Sequence, residues 1–233
     1  MQIEFRADQM GYREVFDPPR PAREAIPSWY QRLPSYGPGG KSVGDSGHYN
    51  STAKHCMPIL DSMTAGYVLE LPQDLHVLSN TPEDVETSWP VGDFGPLVES
   101  HPSWQLATYR FESGWSPHAL KLINHWQIIT PRGYSTLFLP PMWQNESRFQ
   151  VFPGLVDTDV YPQAINFPFM VQRGFEGTIE AGTPFVQLIP VRRDEWYSVV
   201  ADQTSADKFA WVRATRRSIH RYKKNFRAPK VWK

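Results

Sequence analysis

Two acidic residues and a tyrosine lie close together in the stretch Gly154-Leu-Val-Asp-Thr-Asp-Val-Tyr161. Asp157 and Asp159 are candidate carboxylates, and Tyr161 follows them by two residues. A carboxylate can serve as a general base or bind a cation, and it can equally cap the turn in which it lies. The residue types therefore leave a chemical role and a structural role open for all three side chains.

A second signature, from Gly182 to Pro190, contains Gln187 in a strand-like run. Gly154 and Gly182 suit turns, and Gln187 can satisfy backbone groups beside a strand. Short runs of strand character surround these residues, with Gly or Pro in most of the gaps. Such spacing predicts a mainly β protein, built as a sandwich or barrel. The runs are 67–71, 75–78, 104–111, 126–130, 135–139, 149–152, 165–171, 178–180 and 185–191.

The composition divides the chain into three parts. Residues 1–50 form a Pro-rich, extended N-terminal arm, in which Ile26, Trp29, Tyr30 and Leu33 are spaced as one short amphipathic anchor. Residues 51–200 form the β body, with a polar, Pro-containing, loop-rich insertion at about 79–103. An arm of this kind packs on its own body or crosses to a neighbouring subunit. Trp29 and Tyr30 are therefore candidate contact residues.

Residues 201–233 are predicted to form a basic helix and tail. The helix spans about 205–226, and from Ala206 onward the chain has a net charge of +9, which leaves −9 on the remainder. A split of this size indicates that the tail contacts an anionic surface: the chain's own body, another subunit or nucleic acid. The candidate contact residues on the helix are Arg213, Arg216, Arg217, Arg221, Lys223 and Lys224.

Several classes of protein do not fit this sequence. The single cysteine, Cys56, excludes an internal disulfide framework. The start of the chain has no basic stretch followed by an apolar run, and no window approaches the roughly 18 apolar residues of a membrane helix. We therefore expect a soluble protein without a signal peptide or membrane partner, located in a host cytoplasm or a virion.

Three pieces of the chain resemble motifs of the dUTPase and dCTP deaminase superfamily, the β-clip proteins, and occur in the family's order. Residues 65–69 (Ala-Gly-Tyr-Val-Leu) resemble the first motif, usually Ala-Gly-Tyr-Asp-Leu. Residues 154–161 resemble Gly-x-Ile-Asp-x-Asp-Tyr, and 182–188 resemble Gly-Asp-Arg-Ile-Ala-Gln-Leu. Pro131-Arg-Gly-Tyr134 lies where the family has a Pro-x-Gly-Tyr strand. The resemblance covers about residues 56–193 and implies a β-clip body and a homotrimer.

The resemblance also implies a chemistry. In an active relative, Asp157 would be the base that activates water for attack at a phosphate, Asp159 would help to hold magnesium, and Tyr161 would stack on a nucleotide base. The departures from the family pattern fall on this chemistry. The family's magnesium-binding Asp is Val68 here, and its Arg-Ser-Gly phosphate motif is replaced by Pro140-Pro141-Met142. The family's glycine-rich C-terminal segment is replaced by the basic helix.

The whole-chain pattern is similar to a set of uncharacterised proteins common in tailed-phage genomes. Our first hypothesis is a non-enzymatic structural or interaction protein of phage origin, possessing no cofactor or metal, whose arm and C-terminal helix contact other copies or other virion proteins. The alternative is a divergent, magnesium-dependent nucleotide-binding protein or nucleotide pyrophosphohydrolase. A third hypothesis is a nucleic-acid-binding accessory protein that acts through the basic tail.

Overall fold

The computed structural model of the chain describes residues 1–41, 50–81, 84–106, 114–116, 118–202 and 221–233. Over these residues the protein is mainly β, with antiparallel sheets, as the sequence predicts. The strands are β1 (Glu4–Ala7), β2 (Arg20–Pro21), β3 (Tyr67–Glu70), β4 (Leu75–Thr81), β5 (Asp84–Ser88), β6 (Val98–Ser100), β7 (Leu120–Leu122), β8 (Trp126–Ile129), β9 (Tyr134–Leu139), β10 (Phe149–Val151), β11 (Gly154–Val156), β12 (Phe167–Val171), β13 (Glu176–Ile179) and β14 (Pro184–Arg192).

Helices are short in the described part of the chain. The α-helices are α1 (Tyr12–Val15), α2 (Ser28–Arg32), α3 (Met57–Met63) and α4 (Arg221–Asn225). Single 3-10 turns lie at Ala22–Ala25, Ala53–His55 and Ser103–Leu106. None of the described helices has the length and apolar composition needed to cross a membrane.

The described strands form four antiparallel sheets around one apolar core. Their strand orders are β11-β9-β14-β3-β2, β10-β12-β7-β6, β13-β4-β5 and β1-β8. Leu188 from the first sheet, Phe169 from the second, Ile179 from the third and Ile128 from the fourth belong to the same buried cluster. The sheets are therefore parts of one packed body, which is expected because no single sheet can bury its apolar face alone.

The centre of the five-stranded sheet is β14, which pairs with β9 on one side and β3 on the other. Val186, Gln187 and Leu188 are all buried, so consecutive side chains are excluded from solvent on both faces of this strand. Phe185, at its start, stacks on Phe149 at a ring separation of 4.8 Å and meets Phe169 edge-on. This aromatic group joins the five-stranded sheet to the four-stranded one.

At one position in this region, the backbone conformation and the close packing require a glycine. Gly66, immediately before β3, has φ of 69°, a region that L-residues with a side chain seldom adopt. A Cβ at this position would lie 1.9 Å from the carbonyl oxygen of Leu188. The close approach of β3 to β14 therefore depends on a residue without a side chain.

The first 33 residues lie against the body of the same chain. β1 pairs with β8, and β2 pairs with β3 at the edge of the five-stranded sheet. Between them, Tyr12 and Phe16 are buried in the common core. The N-terminal segment thus contributes two strands and core side chains to its own fold, which is one of the two packings that its proline-rich sequence allows.

Two stretches differ from their sequence interpretation. The polar stretch 79–103 contains the end of β4, together with β5 and β6, which belong to two different sheets. The run predicted as a strand at 104–111 instead begins within the 3-10 turn Ser103–Leu106, and residues 107–111 lie outside the described residues. β5 forms because it pairs with β4, and β6 forms because it pairs with β7. The local sequence does not signal such long-range pairing.

The C-terminal prediction is described only at its end. Helix α4 occupies Arg221–Asn225, inside the predicted helix of about 205–226, and residues 203–220 lie outside the described residues. After α4 the chain packs back on the body. The ring of Trp232 meets the ring of Tyr67 at 6.1 Å, and the Tyr67 hydroxyl donates a hydrogen bond to the carbonyl oxygen of Lys233.

Candidate functional site

The turn after β11 is held by a buried threonine between the two candidate carboxylates. The hydroxyl of Thr158 lies 2.7 Å from that of Thr130 and 2.8 Å from that of Thr136. On either side of Thr158, the side chain of Asp157 is exposed and that of Asp159 is almost fully buried. The local sequence Val-Asp-Thr-Asp therefore places one carboxylate at the surface of the turn and encloses the other.

Arg193 meets both carboxylates. Its guanidinium donates to both oxygens of Asp159, with Nη1 at 2.8 Å from Oδ1, and Nη1 also lies 3.3 Å from Oδ1 of Asp157. Asp157 accepts a further hydrogen bond of 2.6 Å from the hydroxyl of Ser135, and Asp159 accepts one of 2.7 Å from the backbone N–H of Gly133. We call Asp157, Asp159, Arg193, Ser135 and Gly133 the carboxylate cluster.

The electrostatics of the cluster favour the ionised form of Asp159. The side chain of Asp159 is only 2% exposed. Hydrogen bonds from Arg193 and from the Gly133 amide lower the pKa of Asp159 to about 2. A carboxylate with such a low pKa is a weak base at neutral pH, because it holds a transferred proton poorly. Asp157 keeps a side chain that is 58% exposed, so its outer oxygen still faces solvent.

Three further residues of the motifs quoted above have other surroundings than the acidic pair. Gln187 is buried. Its side-chain oxygen accepts a hydrogen bond from the Met142 N–H, and its side-chain nitrogen donates to the carbonyl oxygens of Ser62 and Ala65. Tyr161 is 42% exposed at the surface of the turn, and Arg132 is also exposed. Arg193 is therefore the basic side chain that binds the acidic pair.

The position of the family's phosphate motif has no backbone donor to offer. Pro140 and Pro141 lack an N–H, and the N–H of Met142 donates to Oε1 of Gln187 at 3.0 Å. Val68, at the position of the family's magnesium ligand, is a buried residue of β3. Within the described residues, no three His, Cys, Asp or Glu side chains come together as a metal site requires. With Arg193 between Asp157 and Asp159, these residues do not fit a magnesium ion.

A cleft of about 410 Å³ adjoins the carboxylate cluster. Tyr134 lines the cleft and its carbonyl oxygen accepts a hydrogen bond from Arg193. The rings of Tyr67 and Trp232 line it as well, and Lys233 has the one charged side chain among its described lining residues. A triphosphate site needs several cations or free amides, whereas this cleft suits an apolar group.

Trp29 and Tyr30, the contact candidates of the N-terminal segment, both touch their own chain. The indole N–H of Trp29 donates to the carbonyl oxygen of Trp143 at 2.8 Å. Tyr30 is buried, with the ammonium of Lys54 at 4.7 Å from its ring centre. Burial raises the pKa of Tyr30, and the nearby Cys56 adds to the rise. In the single chain these two side chains hold α2 against the body.

The C-terminal tail is attached to the body by an acidic residue of α3. Asp61 accepts hydrogen bonds from Arg227, at 2.6 Å from Nη2, and from the ammonium of Lys230 at 2.9 Å. The bond from Arg227 is the main cause that lowers the pKa of Asp61, and Lys230 adds to it. Two of the ten basic residues of the tail are thus bound to the chain's own acidic body.

The basic contact candidates divide into two groups. Lys223 and Lys224 lie on α4 and are exposed. Arg221 is the first residue of α4. The remaining candidates, Arg213, Arg216 and Arg217, lie outside the described residues.

The residues that complete the carboxylate cluster have little signal in the sequence. Arg193 is one of two adjacent arginines at the end of β14, and Ser135 lies inside β9. Both reach the turn only because β9 lies between β11 and β14 in the sheet. The inward position of Thr158 is likewise fixed by the hydroxyls of Thr130 and Thr136, which come from other parts of the chain.

Comparison with protein-family models, with curated proteins and with solved structures found no match for this chain. The resemblance to the β-clip superfamily therefore rests on the motifs quoted above.

Proposed function

We propose that this chain is a non-enzymatic structural or interaction protein with a β-clip-like body, encoded by a phage and present in the virion or its assembly. Its N-terminal segment and C-terminal helix serve contacts with further copies or with other assembly proteins. One observation carries the non-enzymatic part of this proposal. The carboxylates that would act in catalysis are bound by Arg193, Ser135 and Gly133.

The contacts of Asp157 and Asp159 favour structure over catalysis. A catalytic base needs a free lone pair near the reacting atom and a pKa near the working pH. Asp159 has a low pKa and its lone pairs point at Arg193 and Gly133. Through their contacts with Arg193, Asp157 and Asp159 join the turn after β11 to the end of β14. This arrangement supports a role in holding the sheet together.

A specific observation favours the nucleotide-binding alternative as the second candidate. The three pieces that resemble the superfamily, 65–69, 154–161 and 182–188, contain parts of β3, β11 and β14, which belong to the same five-stranded sheet. The exposed oxygen of Asp157 would be the remaining base. This candidate requires a phosphate site formed by another subunit, since Pro140–Met142 cannot form one.

The two candidates are separated by a nucleotide assay on the purified chain. Pyrophosphate release from dUTP and dCTP would be followed with and without magnesium, and nucleotide binding would be followed by the shift of the melting temperature. We expect no release above the buffer rate and no melting shift. The variant Asp157→Asn should leave both measurements unchanged.

Hydrolysis that is lost in Asp157→Asn would refute the non-enzymatic proposal and establish the nucleotide hydrolase.

The third candidate, nucleic-acid binding by the basic tail, predicts instead that a fluorescent single-stranded oligonucleotide binds at low salt and dissociates steeply as salt is added. Mass spectrometry of purified virions tests the phage context, and we expect the chain among their proteins.

A further inference from the structure

The segment that follows β14 exposes a row of large apolar side chains. Residues 194–202 have no regular secondary structure. Within them, Trp196 is 87% exposed, Tyr197 89%, Val199 73% and Val200 100%. A single exposed apolar residue is ordinary on a protein surface, but four within five consecutive positions form a patch of the kind that marks an interaction site.

The body fixes where this segment starts. Arg193, the residue before it, is held by Asp159 and by the carbonyl oxygen of Tyr134, and its own N–H donates to the carbonyl oxygen of Gly133 at 2.8 Å. Asp194 forms an ion pair of 3.1 Å with Arg192. The apolar row therefore leaves the sheet from a clamped point beside the carboxylate cluster, and less conformational entropy is lost when a partner binds it.

The charges around the row indicate the chemistry of its partner. Asp194, Glu195 and Asp202 are all exposed, so residues 194–202 have a formal charge of −3. Helix α4 offers the complementary surface, with exposed Lys223 and Lys224. Its aromatic residues Tyr222 and Phe226 are 44% and 42% exposed. One surface is apolar and acidic, and the other is apolar and basic.

We propose that the segment 194–202 binds helix α4 of a second copy of this chain. The contact closes within the assembly, so that each copy gives its segment to a neighbouring copy and receives a segment at its own helix. Trp196 and Tyr197 together offer on the order of 350 Å² of buried surface. A standard interface uses about 800 Å² from each partner, so the contact requires the two valines and the aromatic face of α4 to contribute the remaining area.

This inference deepens the proposed function and rests on it, since it assigns the subunit contact to a particular pair of surfaces. Tryptophan and tyrosine are the side chains that most often dominate an interface when they become fully desolvated. The acidic residues at both ends of the segment add orientation and steer association, because opposite charges across an interface favour one register.

Sedimentation velocity of the full chain, over roughly 1–100 µM, tests the contact. We expect wild-type protein to self-associate and Trp196→Ala/Tyr197→Ala to dissociate with a Kd at least about tenfold weaker. The matched control is Trp104→Ala, which removes another tryptophan, 76% exposed, outside the segment. It should associate like wild type. Because all three side chains are exposed, the urea midpoint should be unchanged in both variants.

Charge reversal tests the assignment of α4 as the partner surface. Glu195→Lys and Lys224→Glu should each weaken association, and the two together should restore part of it. A wild-type chain that stays monomeric over the whole range overturns the proposal, as does a double aromatic variant that associates as tightly as wild type. If neither charge reversal changes the dissociation constant, the role of α4 as the partner surface is overturned.

Two outcomes distinguish a protein without the subunit contact from a protein with a different function. A monomer that neither binds nor hydrolyses nucleotides would refute the contact between copies and leave a non-enzymatic protein that acts on other partners. A self-associating chain that hydrolyses dUTP would refute the proposed function and leave the contact in place.

Discussion

Replacing Gln187 by leucine should destabilise the protein by about 3 kcal/mol with little change in packing volume. The buried Gln187 amide makes three hydrogen bonds, of 3.0 Å from the Met142 N–H, 2.9 Å to the Ser62 carbonyl oxygen and 2.8 Å to the Ala65 carbonyl oxygen. Leucine leaves all three backbone groups without this partner. Each lost bond costs about 1 kcal/mol net, and more where the stranded group stays dry.

Urea unfolding measures this loss. Total stabilities of domains are about 5–15 kcal/mol, so Gln187→Leu would remove a large part. With a urea m-value near 3 kcal/mol/M, the upper end of the usual range, the midpoint should fall by roughly 1 M. The matched control is Gln150→Leu in β10, where the glutamine is exposed. That variant should stay within about 0.5 kcal/mol of wild type.

The result that would refute this reasoning is a Gln187→Leu midpoint that coincides with that of Gln150→Leu. Such a result would mean that the Met142 loop and the end of α3 do not depend on the buried amide. Gln187→Glu offers a second check, since it keeps an acceptor for the Met142 N–H but faces two carbonyl oxygens. With its carboxyl protonated, Gln187→Glu can keep the bond from the Met142 N–H and donate to one of the two carbonyl oxygens, so it should be more stable than Gln187→Leu at low pH. It should lose this advantage as pH rises and the carboxylate ionises.

Two further predictions concern the cluster and the turn before β3. Because the pKa of Asp159 is about 2, below its usual 3.8, its stabilising effect should be full above about pH 4 and lost as pH falls through 2. The urea midpoints of wild type and Asp159→Asn should therefore differ at pH 7 and approach each other as pH falls through 2, and a pH-independent difference would contradict the ion pair. Gly66→Ala should unfold at markedly lower urea than Gly95→Ala. Both glycines have positive φ, but only at Gly66 would the Cβ collide with backbone, the Leu188 carbonyl. Equal midpoints would contradict this reasoning.

Much of the β architecture is readable from local sequence. The alternation in Trp126-Gln-Ile-Ile and the long apolar run of β14 each bury the side chains that the pattern indicates. These strands lie where their sequences predict because burial of their own apolar residues drives them. In contrast, β1, β2 and β5 are short or polar, and they exist because a partner strand supplies their hydrogen bonds.

The candidate site divides in the same way. The sequence by itself identified Asp157 and Asp159 as a candidate acidic pair, with a catalytic and a structural role both open, and showed that the family's phosphate and magnesium positions hold Pro140–Met142 and Val68. Only the tertiary structure decided what the carboxylates bind. Arg193 is more than thirty residues away and reaches them through the β11-β9-β14 order of the sheet. The order of the strands results from long-range pairing and from shared burial. Neither can be predicted from the spacing of residues along the chain.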